Sequence, residues 1–221
     1  MKTLNNILKS IRSTTGASLA EFATVSALMA TLAATAAPKL SEMAEGSKQE
    51  KTMNEIDKIL TQARNFYQTT ADTEGRGRFP GQDKFDVPVG GYGEVRGTYD
   101  QAIQAQGELV AALGTWTDWD AAEGAYWRSV FGVSNEDAKQ DAGGQVIDDT
   151  YNECGTCPGV KLGHEDWIDL FAGNTLASQY QDGHFAYAVI PGGGSGYDAF
   201  HPVLYVVDVE NASDFNNILE P

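Results

Sequence analysis

Two cysteines separated by two residues are the first feature of this chain with an obvious chemistry. Cys154 and Cys157 are its only cysteines among 221 residues, and their spacing is that of thiol–disulfide redox motifs. Acidic neighbours such as Glu153 disfavour the thiolate that a redox motif needs. We therefore expect a structural disulfide between Cys154 and Cys157, with a metal half-site or a redox role as alternatives.

A single carboxylate in an apolar run is the second feature. Glu21 is the only ionisable side chain between Ala17 and Ala37. A charged side chain in a membrane-spanning helix costs about 2.5–3.5 kcal/mol on insertion scales, so a function is expected for it. Its natural partner is a positive charge at the same depth, and cleavage after Gly16 would create one, the amino group of Ala17.

A basic leader precedes the apolar run. Lys2, Lys9 and Arg12 stand before Gly16 without any acidic residue. The roughly 20 uncharged residues that follow are enough to cross a bilayer as a helix, with the basic residues on the cytoplasmic side. A secretory signal peptide has its small cleavage-site residue after the apolar run, whereas Gly16 comes before it. The alternative, a buried or amphipathic helix, leaves the leader charges, Gly16 and Glu21 as coincidences.

Residues 10–40 resemble the class III leader of type IV pilins and pseudopilins. The shared features are the basic leader, the Gly at the cut, the run Ser18-Leu19-Ala20-Glu21, the apolar helix and a helix proline, here Pro38. In that family a prepilin peptidase cleaves after the Gly and methylates the new terminus, which pairs with the Glu of a neighbouring subunit. The resemblance implies cleavage between Gly16 and Ala17, and assembly through Ala17, Glu21 and Pro38. Ala17 differs from the aromatic residue or Met usual after the cut.

An amphipathic pattern continues the helix beyond Pro38. Apolar residues recur at alternating steps of three and four, which is typical of a helix with one face on a core: Met53, Ile56, Leu60, Ala63 and Tyr67. Pro38 removes one backbone hydrogen bond, so we expect a kink there rather than a helix end. We predict a leader over residues 1–16, a transmembrane and assembly helix over 17–70, and a globular head over 71–221.

The head is predicted to combine short helices with an antiparallel sheet, which gives the whole chain an α+β fold. A Gly- and Pro-rich loop follows the long helix. Short helices are predicted over 100–113, over 118–131, around Trp167 and over 211–219. The two convincing strands, Phe185–Ile190 and Val203–Val207, form a hairpin with a long Gly-rich connection.

Composition argues against several classes of function. The formal net charge of −16 argues against nucleic-acid binding, which depends on neutralising phosphates with Lys and Arg. His164, His184 and His201 lack the paired spacing of a zinc site, so we expect no metal and no other cofactor. Calcium is the open alternative, with oxygen ligands near Asp182 or Asp198. We found no convincing nucleophile and expect no enzyme activity. We expect the cluster Trp116, Trp119, Tyr126 and Trp127 to belong to the core, with an adhesion or subunit contact patch as the alternative for exposed members.

The resemblance implies a structural subunit of a type IV pilus-like filament. Its precursor would sit in the inner membrane with the head outside the cytoplasm. The expected partners are a prepilin peptidase, an inner-membrane assembly platform and other copies of the chain, which form a helical homo-oligomer at the cell surface. A pseudopilin of a type II secretion or DNA-uptake machine is the alternative within the class. A membrane-anchored binding or redox module using Cys154 and Cys157 is the alternative from another class.

Overall fold

A computed structural model describes residues 2–92, 98–115, 126–131, 163–180 and 184–221, with side chains from residue 19 onwards. Cys154 and Cys157, with their predicted disulfide, lie outside the described residues, as do Trp116, Trp119 and Asp182. The described elements are, in chain order, α1 (Lys2–Glu74), α2 (Tyr99–Gly114), β1 (Arg128–Ser129), α3 (Gly163–Leu170), β2 (Phe185–Ile190), a 3₁₀ turn (Gly196–Asp198), β3 (Val203–Asp208) and β4 (Asn216–Leu219). The predicted α+β fold is confirmed.

Helix α1 confirms the long helix and extends it at both ends. It contains 73 residues, beginning at Lys2 and ending at Glu74, and Pro38 lies inside it without ending it. The kink at Pro38 stays a prediction. The chain forms two compact units, Met1–Ser47 and Lys48–Pro221, and α1 contributes residues to both.

The head contains a four-stranded sheet in the order β1-β2-β3-β4, with every neighbouring pair antiparallel. Strands β2 and β3 form the predicted hairpin, whose pairing runs from Phe185 opposite Asp208 to Ile190 opposite Val203. All residues of both strands are buried. A strand buried along its whole length needs apolar cover on both faces of the sheet.

Each face of the sheet belongs to its own hydrophobic core. Alternate residues such as Ala188 and Tyr205 share one core with the buried face of α2, formed by Ala102, Ala105, Leu109 and Leu113. The other residues, including Val189 and Leu204, share a second core with Trp167 of α3 and with Ile56, Ile59, Leu60 and Ala63 of α1. The predicted helices around residues 100–113 and Trp167 are therefore confirmed, as is the amphipathic face of α1.

Two predicted helices are wrong where the structure describes them. In the segment predicted as a helix over 118–131, Arg128 and Ser129 form strand β1 and pair with β2. In the segment predicted over 211–219, only one turn near Asn211 is helix-like, and Asn216–Leu219 is strand β4, paired with β3. The backbone groups of β2 and β3 need hydrogen-bond partners, and β1 and β4 supply them. This tertiary requirement overrides the weak helix preference of the residues in β1 and β4.

Candidate functional site

The candidate site is the N-terminal part of α1, which belongs to the unit Met1–Ser47. Every residue from Leu19 to Ser47 is exposed. The exposed residues include large apolar ones, among them Phe22 (72%), Leu32 (66%) and Met43 (70%). Helix α1 contains a window with a mean hydropathy of 1.5, none of it buried, and is long and apolar enough to cross a membrane.

Threonine hydroxyls in this segment are satisfied by the helix itself. The Oγ1 of Thr24 donates to the carbonyl oxygens of Ala20 and Glu21, at 3.0 and 2.8 Å. Thr31 donates to Leu28 at 2.8 Å, and Thr35 to Thr31 at 3.0 Å. A hydroxyl bonded to its own helix does not need water, which lowers the cost of placing it in an apolar medium. These threonines therefore suit an apolar segment better than their polarity indicates.

The predicted processing and assembly residues all lie on α1. Gly16 and Ala17 belong to its helical backbone. Glu21 lies one turn further on and is exposed. Residues four apart share a helix face and are separated by about 6 Å along the axis. An amino terminus created at Ala17 would thus lie on the same face as Glu21.

Pro38 marks the C-terminal limit of the apolar segment. Lys39 follows it directly, and Glu42 and Glu45 bring further charge within two turns, all of them exposed. An apolar run bounded by charged residues is typical of a helix that enters an apolar medium up to that boundary. Pro38 therefore lies where the apolar segment gives way to a solvated one.

The His, Asp and aromatic residues that could carry chemistry elsewhere do not form a metal site in the described ranges. No group of three or more His, Cys, Asp or Glu residues that could hold a metal ion was found among the described residues. His201 accepts or donates a hydrogen bond with the Tyr67 hydroxyl at 2.7 Å. Trp127 is fully buried in the core, as expected, whereas Tyr126 is 44% exposed. The loop around Asp198, one calcium alternative, contains a 3₁₀ turn.

A buried ionic cluster near the end of α1 was missed by the sequence reasoning. Arg78, only 3% exposed, makes a bidentate pair with Glu74, with both N–O distances 3.0 Å, and donates to the carbonyl of Gln82. The carboxylate of Asp166 accepts the backbone N–H of Gly81 and lies 4.0 Å from Arg78. These groups fasten the loop after α1 to α3, so we assign them a structural role.

Comparison of the chain with protein-family models, with curated proteins and with solved structures found no match.

Proposed function

We propose that this chain is the structural subunit of a type IV pilus-like extracellular filament. In this proposal α1 inserts in the inner membrane, the precursor is cleaved after Gly16, and the processed chain polymerises through its N-terminal helix. The observation that carries the proposal is the apolar helix segment Leu19–Pro38, every residue of which is exposed. Removing apolar surface from water is favourable by about 25 cal/mol per Å². The free energy of this segment is therefore lower when lipid or other helices surround it.

The composition of the segment suits both surroundings. Its threonine hydroxyls are bonded to helix carbonyls, which makes the segment compatible with lipid. Its many alanines permit close approach of neighbouring helices, as small residues do in membranes. The segment can therefore pass from the bilayer to a helix-lined filament core.

Glu21 sets the register of neighbouring subunits in this mechanism. Once helices surround the segment, an unpaired carboxylate is strongly disfavoured, and the amino group of Ala17 in a neighbouring subunit supplies the opposite charge. Only one longitudinal offset between helices brings the two groups together. The pairing therefore selects a single assembly geometry from many that apolar packing alone would allow.

Mass spectrometry of the mature protein tests the processing step. In cells with an active prepilin peptidase, we expect Ala17 as the first residue, bearing an added methyl group. A Gly16→Leu variant serves as the control and should keep its leader. An intact leader on the wild-type chain in the same cells would contradict the proposal.

Electron microscopy of sheared surface material, with peptide identification, tests the assembly step. We expect filaments that contain this chain in the wild type and none in the Gly16→Leu variant. A processed chain that is scarce at the surface and forms no long filaments would instead favour a pseudopilin.

A further inference from the structure

A groove in the head lies beside the C-terminal end of α1. It encloses about 300 Å³ and is lined by residues that include Tyr67, Ala71, Arg76, Phe85, Phe200 and Pro202; we call it the Arg76 groove. Its volume lies at the small end of the range for small-molecule sites. Most of its walls are aromatic or aliphatic, with a few polar groups, which is the composition typical of such sites.

Arg76 is held in place at the groove. Its guanidinium lies over the Phe85 ring, 4.3 Å from the ring centroid, and its Nη1 donates to the carbonyl of Gly194 at 3.3 Å. The backbone of Phe85 is held in turn, since its carbonyl accepts the N–H of Gly192 at 2.8 Å. A guanidinium has five N–H donors, so several donors stay available for a ligand. Because the side chain is already ordered, binding loses less entropy.

Tyr67 and His201 form a second polar feature of the groove. The Tyr67 hydroxyl and the His201 Nδ1 are 2.7 Å apart. Burial raises the pKa of Tyr67, so its hydroxyl keeps its proton at neutral pH and can donate to Nδ1. A neutral His201 that accepts at Nδ1 carries its proton on Nε2. In that tautomer the Nε2–H of His201 can donate to a ligand, in addition to the donors of Arg76.

Gly77 is required for the position of Tyr67. A Cβ atom at residue 77 would overlap the Tyr67 ring, which also packs on Phe79 with ring centroids 5.3 Å apart. The ring is thus held between Phe79 and the backbone of Gly77. An alanine at position 77 must displace Tyr67 without changing any charge.

The charge of the groove is opposite to that of the chain. Among the described residues that line it there is no acidic one, although the chain has a net charge of −16. One guanidinium and a histidine, both exposed and next to apolar walls, complement a single negative charge on an apolar body. Planar bidentate pairing makes arginine well suited to a carboxylate.

We propose that the Arg76 groove binds a small carboxylate with an aromatic body, of the size of an N-acylated aromatic amino acid. The carboxylate pairs with the Arg76 guanidinium, and the aromatic body packs against Phe200 and Pro202. All residues that line the groove belong to the unit Lys48–Pro221, so binding there requires neither cleavage at Gly16 nor filament assembly.

Ligand-observed NMR titration of the full chain in lipid nanodiscs tests the proposal. The probe is N-acetyl-L-phenylalanine, and its uncharged amide is the control ligand. We expect saturable binding of the acid and binding of the amide that is at least about tenfold weaker, since hydrogen bonds to charged groups are the stronger ones. Equal affinity for the two, or no saturable binding of the acid, overturns the proposal.

Variants locate the binding. Arg76→Gln should lower the affinity for the acid by about tenfold or more. Gly77→Ala should also lower this affinity, because it displaces Tyr67. Lys51→Gln, which removes one positive charge from the exposed surface of α1, should leave affinity unchanged. Circular dichroism confirms that each variant is folded. Unchanged affinity in a folded Arg76→Gln variant contradicts the assignment. If the acid does not bind but Arg76→Gln impairs assembly, the groove takes a carboxylate from a second copy, and the proposal is wrong.

Discussion

Asp208 carries a carboxylate that the fold removes completely from water. It stands at the end of β3, fully buried, where its Oδ1 accepts the backbone N–H groups of Glu210 and Asn211 at 3.0 Å. Its Oδ2 is buried without a hydrogen-bond partner among the described residues. Burial raises the pKa of Asp208, and hydrogen bonds from Ser178 and from the backbone of the following turn offset part of the increase. A charged Asp208 therefore opposes folding.

The variant Asp208→Asn tests whether the charge of Asp208 opposes folding. A pKa that is higher in the folded than in the unfolded chain means that stability falls as the pH rises through the folded value. We expect Asp208→Asn to be more stable than the wild type at pH 7, with a difference that shrinks as the pH approaches 3.8, the ordinary value. Urea unfolding of the head at several pH values measures it, with the exposed Asp214→Asn as the control. A difference that does not depend on pH contradicts the prediction.

Glu21 is the residue on which the proposed assembly depends. Glu21→Gln keeps the size of the side chain and removes its charge, so membrane insertion and cleavage should be unaffected. Breaking a buried charge pair by removing one partner costs about 3–5 kcal/mol, and we expect the yield of sheared surface filaments to fall at least about tenfold. The control is Glu42→Gln, on the solvated part of α1. Equal loss in both variants would count against a specific pairing.

Within the elements, the loop after α1 depends on one buried amide. Gln82 is fully buried; its Oε1 accepts the N–H of Phe79 at 2.8 Å, and its Nε2 donates to the carbonyl of Val87 at 2.6 Å. Gln82→Ala leaves the buried N–H of Phe79 and the half-buried carbonyl of Val87 without their partner, and we expect a loss of about 3 kcal/mol in the free energy of unfolding. Gln68→Ala, at an exposed position of α1, should cost less than about 0.5 kcal/mol. Urea unfolding of both variants provides the comparison.

Elements with strong periodicity could be predicted from sequence, and short ones could not. Ile56, Leu60 and Ala63 recur at helical steps and do line the core, and β2 and β3 were evident from their apolar runs. Strand β4 was missed because its four residues carry no alternation of their own: their conformation is imposed by pairing with β3. The two-residue strand β1 depends on its partner β2 in the same way.

The two candidate sites also differ in how far local sequence determines them. Gly16, Ala17 and Glu21 lie within six residues of one another, so their arrangement on a helix follows from local spacing alone. The Arg76 groove could not be predicted, because Tyr67 and His201 are 134 positions apart and meet only through the tertiary fold. Its aromatic walls have no sequence signature that distinguishes them from core residues.

For the whole molecule, the unit boundary at Ser47 predicts where the chain can be cut. A fragment starting at Lys48 keeps both hydrophobic cores and should be a soluble protein that unfolds cooperatively. A fragment starting at residue 71 loses Ile56, Ile59 and Leu60 from the core. Each large apolar side chain contributes about 2 kcal/mol, against a total stability of about 5–15 kcal/mol, so this shorter fragment should be unfolded or aggregated.

Circular dichroism melts and size-exclusion chromatography of the two fragments show whether the folded unit begins at Lys48 or at residue 71. A cooperative melt from the shorter fragment would show that the head folds without α1. Aggregation of the longer one would show that it needs the N-terminal part of α1.

The threonine hydroxyls of the apolar segment have a kinetic consequence. Thr24, Thr31 and Thr35 donate hydrogen bonds to carbonyls of their own helix, so their hydroxyls need no partner from water or lipid. Extraction from lipid into a protein environment, or the reverse, then breaks no hydrogen bond of these groups. In the proposed assembly, the barrier to this transfer would therefore depend on the single carboxylate of Glu21 and on side-chain packing.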